Sequence, residues 1–268
     1  MNPTDQWFNL LASTDLPDAL AFGKFNLSGN TANGYLCENL SYLHSPAFGA
    51  FMVSQATSSP WTNALAFSIG FLGHTLGDVV GFWGARNPAS SKGILCANNV
   101  GPCSQDIRYV SLWHLMTAID AHLAFQYNVN VSALPLVSNL SNSNAVPFLA
   151  KMSAVFNQQV DPTFAPTSVA AVQACIDFWK IDQATSFRLS ALKTSSPLQR
   201  QALREELEFF TGISNPASFQ SFLDAQVGCG QTVIAGAIAD VSAGVAPQQI
   251  VQNAIATTTS LYAAKKCQ

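Results

Sequence analysis

The segment from Trp61 to Trp83, WTNALAFSIGFLGHTLGDVVGFW, sets one His and one Asp, His74 and Asp78, four residues apart within 23 otherwise uncharged positions. At 3.6 residues per turn, positions i and i+4 share a helical face, with Cβ atoms roughly 5–6 Å apart. The two side chains can therefore grip one ion, or each other. An unpaired carboxylate buried in an apolar helix is costly, so Asp78 is expected to be paired, metal-bound or neutralised. Spacing alone leaves two readings open: a metal pair, or a core histidine oriented by its neighbouring carboxylate, which uses the same hydrogen bond.

About 20 apolar residues can also span a bilayer, and Gly73, Gly77 and Gly81 follow the spacing of membrane helix-packing motifs. Against that reading, Asn63, Ser68, His74, Thr75 and Asp78 are scattered through the run and no Lys or Arg cluster flanks it. The expectation is no transmembrane span, and close helix contacts at the glycines of a globular core.

Of the 268 residues, 49% are hydrophobic and 10% charged, which favours a large buried core over disorder. A net charge of −3 with 12 Lys plus Arg leaves no basic stripe to neutralise phosphates, so stable nucleic-acid binding is not expected. The six cysteines, Cys37, Cys96, Cys103, Cys175, Cys229 and Cys267, are spaced unlike a zinc ribbon or a redox CxxC and read as disulfides. Cys96 and Cys103 bracket the turn-rich ANNVGP and are the expected pair; the other four permit three connectivities. Asn-x-Ser sequons at Asn26, Asn39, Asn130 and Asn139 fit a secreted glycoprotein. The opening MNPTDQWFNLL has no basic stretch followed by a long apolar one, so the numbering reads as that of a mature chain.

Residues 1–40 read as an irregular arm, and 41–268 as one all-α domain. Pro46 opens a helix through Ala56, and Ser59-Pro60 starts the long one. Ser104 caps a third helix running to about Tyr127, which carries His114, Asp120 and His122. Helical patterns follow at about 146–159, 167–193, 197–211, 216–226, 231–243 and 247–264. No alternating strand pattern competes. The patch Arg200, Arg204, Glu205, Glu206 and Glu208 reads as a solvated helix face with Arg204 and Glu208 paired.

Three of the four histidines, His74, His114 and His122, share two successive helices with Asp78 and Asp120. Hydrolytic zinc sites use His and carboxylate ligands and keep one position for water, whose pKa the ion lowers towards neutrality. The stretch LAFSIGFLGHTLGDVVGFW resembles the His-x-x-x-Asp helix of the zinc-dependent phospholipase C family, which includes the catalytic domain of glycosylphosphatidylinositol-specific phospholipase D. LHSPAFGAFMVSQA, from Leu43, is similar to the family's stretch before that helix. The resemblance covers about residues 35–130 and implies an all-α, multi-helix phospholipase C-like fold, with His74 and Asp78 as zinc ligands and His114 in the place of a third. Asp120 and His122 are secondary candidates.

Departures from the family pattern are specific. Ala118 stands four residues after His114 where the family has an acid, and Val79 to Trp83 hold no further His. No His precedes His44, and Gln55-Ala56 occupy the place of an early Asp. His122 lies eight residues beyond His114, about 12 Å along the axis at 1.5 Å per residue, too far to share its ion. The sequence thus points to a phospholipid or other phosphodiester hydrolase with a depleted zinc site. The alternative is a non-catalytic secreted glycoprotein that uses the same scaffold for binding or self-association.

Overall fold

The computed structural model describes Leu10 and residues 43–81, 109–128, 144–211 and 213–267, without the side chains of 109–117, 178–190 and 209–211. Those residues form eight helices and no strand: α1 (Pro46–Ala56), α2 (Ala64–Gly81), α3 (Tyr109–Gln126), α4 (Ala145–Gln159), α5 (Val169–Thr194), α6 (Pro197–Thr211), α7 (Pro216–Ser242) and α8 (Pro247–Ala263). The all-α class expected from residue spacing is the class observed. Cys96, Cys103 and the sequon asparagines Asn26, Asn39, Asn130 and Asn139 lie outside the described residues.

Two boundaries differ from expectation. Helix α2 opens at Ala64, four residues after Pro60, because Ser59 Oγ accepts from the Trp61 amide at 3.1 Å and holds a turn there. Helix α7 runs unbroken through Gly228-Cys229-Gly230, where a break between two helices was expected. Each glycine there costs about 1 kcal/mol of helix propensity against Ala. Burial overrides it: Phe219, Leu223, Gln226, Cys229, Val233 and Ala237 recur every three or four residues as one buried stripe.

The chain divides into two compact units: Met1–Leu76 with Pro135–Gln183 and Ile234–Ala254, and Gly77–Leu134 with Ala184–Val233 and Ile255–Gln268. The first is built on interlocked rings. Phe48 on α1 meets Phe71 at 5.8 Å and Phe156 at 5.5 Å between centroids, both edge to face, and Phe164 at 5.2 Å. Trp61, Phe67 and Phe148 form a second such group. Edge-to-face pairs add about 0.5–1.5 kcal/mol each beyond the area they bury. The buried Ser153 hydroxyl accepts from the Thr167 amide at 3.0 Å and donates to the Ala150 carbonyl at 2.8 Å.

In the second unit α3 packs against α6. Its core is aliphatic and small, with Ala118 and Ala121 against Leu203 and Leu207, joined by Phe219 and Leu223 of α7. Arg204, Glu205 and Glu208 are exposed, as a solvated face requires. Glu206 departs from that face and pairs with Lys193, while Arg200 lies over the Phe125 ring at 5.1 Å, a cation–π contact.

No cysteine among the described residues is free. Cys229 is bonded to Cys267, closing 38 positions of chain, and Cys175 is disulfide-bonded as well. Such bonding is compatible with an extracellular protein. Among the described residues only α2 is long and apolar enough to cross a membrane, and 56% of it is buried inside the protein, as in a core helix.

Candidate metal centre

Two local devices place His44. Ser45 is the N-cap of α1, its Oγ 3.5 Å from the Phe48 amide, and Pro46 takes the first helical position, where its missing N–H costs nothing. One turn on, α1 meets α2 backbone to side-chain root: a Cβ on Gly49 would stand 3.1 Å from Leu72 Cα. Only glycine allows that approach without displacement. The cap ties His44 to α1, and the Gly49 contact ties α1 to the turn of α2 that leads into His74.

As a result His44 Nε2 and His74 Nε2 are 3.1 Å apart, with the two rings nearly perpendicular and their centroids 5.1 Å apart. Asp78, one turn beyond His74 on α2, completes a group whose three ligand atoms all lie within 4.8 Å of one another. All three side chains are half-buried, so solvent and ions reach them, while Phe71, Leu72, Leu76 and Val79 of the same helix are fully buried.

The separation admits two chemical states. Without an ion, one imidazole donates and the other accepts, which requires opposite tautomers on the two rings. With an ion, both Nε2 lone pairs turn to it. Two nitrogens bound to tetrahedral zinc at ~2.0–2.1 Å stand ~3.3 Å apart. The observed spacing is close to that value, and the Asp78 ligand oxygen lies within 4.8 Å of both imidazoles' ligand nitrogens. Two imidazoles and a carboxylate, with a fourth position left for water, form a donor set used by catalytic zinc.

The other sequence candidates are placed differently. The His114 side chain lies outside the described residues. Asp120 is exposed on α3, and neither it nor His122 belongs to the group around His74. His122 Nε2 is 3.4 Å from Gln220 Oε1, and its ring meets Phe219 edge to face at 5.0 Å. Burial holds His122 below the usual imidazole pKa, partly offset by the Gln220 hydrogen bond. It packs against Phe219 and does not join the group around His74.

His44 is the residue that sequence spacing missed as a ligand. It stands 30 positions from His74, outside any helical period. A signal was present in the Ser45-Pro46 helix start directly after it and in Gly49 one turn later, which together fix where such a residue must sit. No protein-family model, curated protein or solved structure matches this chain.

Proposed function

We propose that this protein is a zinc-dependent phosphodiester hydrolase of phospholipase C type, with its metal site reduced to one ion on His44, His74 and Asp78. The observation that carries the reading is the 3.1 Å approach of two imidazole nitrogens with a carboxylate in reach. A zinc ion so held lowers the pKa of its water and polarises a phosphoryl oxygen. The resemblance of the α2 motif supports a lipid phosphodiester as substrate class, and the disulfides support an extracellular setting.

A second reading is favoured by the same distance. At 3.1 Å the two histidines also satisfy each other by a hydrogen bond, as in a non-catalytic secreted glycoprotein that uses the helical scaffold for binding or self-association. Metal analysis of purified protein separates the two. The enzyme reading expects about one zinc per chain, lost in His44→Ala and in His74→Ala. Zinc-dependent release of nitrophenol from bis(4-nitrophenyl) phosphate, and of headgroup from phosphatidylcholine vesicles, then distinguishes a hydrolase from a metal-stabilised scaffold. A chain that takes up no zinc is the scaffold.

A further inference from the structure

Asp78 lies two residues before Val80 in the last turn of α2. The final carbonyls of a helix have no partner on their own helix, and in a buried turn that need must be met from elsewhere. Here Tyr262 on α8 meets it: its hydroxyl donates to the Val80 carbonyl at 3.0 Å across 182 positions of sequence. Tyr262 is 1% exposed and Val80 is 2% exposed, so no water substitutes for this bond.

The phenol oxygen is held by Gln226. Gln226 Nε2 donates to Tyr262 Oη at 2.9 Å, and the single hydroxyl hydrogen has two acceptors in reach, the Val80 carbonyl at 3.0 Å and Gln226 Oε1 at 3.1 Å. The same Nε2 also donates to the Cys267 carbonyl at 2.5 Å. Cys267 in turn is bonded to Cys229, three residues beyond Gln226 on α7. A continuous buried chain of contacts thus runs from the disulfide through Gln226 and Tyr262 to the turn of α2 that holds Asp78.

We infer that Tyr262 is a positioning residue for the metal centre: by pinning the last turn of α2 it sets the Asp78 carboxylate towards the ion that His44 and His74 share. The inference rests on the metal reading of that site. Gln226 holds the Tyr262 oxygen in place, and the Cys229–Cys267 bond ties Gln226's helix to the chain segment whose carbonyl Gln226 also meets.

The test is zinc titration of the full chain against a competing chelator, for wild type, Tyr262→Phe, Asp78→Asn and the double variant. Tyr262→Phe should weaken zinc binding about threefold to tenfold, less than the ~10–100-fold for a group touching a ligand directly. In the Asp78→Asn background the same substitution should change nothing further. A merely structural tyrosine would lower the denaturation midpoint yet leave zinc affinity unchanged, or weaken it equally in both backgrounds; either result overturns the inference. Should Tyr262→Phe fail to fold, Gln226→Met removes the groups that hold the Tyr262 oxygen and is judged by the same cycle. A wild-type chain without zinc affinity overturns the metal reading itself, and this inference with it, whereas zinc binding indifferent to Tyr262 overturns this inference alone.

Discussion

The two compact units reach order by different means. In the first, Phe48, Phe71, Phe156 and Phe164 interlock as rings. In the second, small and aliphatic side chains pack between α3, α6 and α7, while a disulfide and a buried polar chain hold the last turns of α2 and α8 and the chain beyond α8 to the middle of α7. Ring packing is strong but depends on shape, so its failure is a cavity. A cross-link and aimed hydrogen bonds depend on chemistry, so they fail through reductant or pH.

The largest effect should come from breaking the ring core. Phe48→Ala removes the side chain common to three ring contacts and should cost ~3–5 kcal/mol, read as the shift in urea midpoint. A loss below ~1 kcal/mol would mean the rings are not what holds that unit. Next, Cys229→Ser with Cys267→Ser should cost ~2–4 kcal/mol by freeing the 38-position closure, with the loss concentrated in hydrogen-exchange protection of α7 and α8.

The polar chain gives a pH signature of its own. Burial pushes the Tyr262 hydroxyl from 10.0 up to about 12, opposed in part by its hydrogen bond with Gln226. Its folded pKa lies above its unfolded one, so its contribution is complete below pH 10 and is lost as pH rises towards 12. At about 1.36 kcal/mol per pH unit the loss is ~2–3 kcal/mol. A pH titration of stability should show this decline in wild type and lack it in Tyr262→Phe.

The smallest effects contrast glycines. Gly49→Ala drives a methyl to 3.1 Å from Leu72 Cα and should cost ~1–3 kcal/mol with weakened metal uptake. Gly228→Ala and Gly230→Ala meet nothing within 4 Å and should each stabilise by ~0.5–1 kcal/mol in thermal unfolding. Equal effects at the three positions would erase the distinction between a glycine required by contact and a glycine tolerated within a helix.

Local information was legible in the sequence. The helix from Pro46 to Ala56 and the shared face of His74 and Asp78 follow from capping and a 3.6-residue period. The continuity of α7 was readable in its buried stripe but was hidden by weighting two glycines as a stop. What no period encodes is pairing at a distance. His44 with His74 spans 30 positions, Gln226 with Tyr262 spans 36, and Tyr262 with Val80 spans 182. Those partners are chosen by packing, which local spacing does not express.

The contact of Gly49 with Leu72 carries a consequence for how such a centre can be copied. Gly49 follows His44 by five residues, and Leu72 precedes His74 by two. The imidazole spacing is thus dictated by two backbones crossing at a fixed point, with each ligand at a set offset from it. Any pair of helices crossing as closely, with a His just before the N-cap of one and a His and an Asp one turn apart on the other, is a template onto which this three-residue group can be grafted.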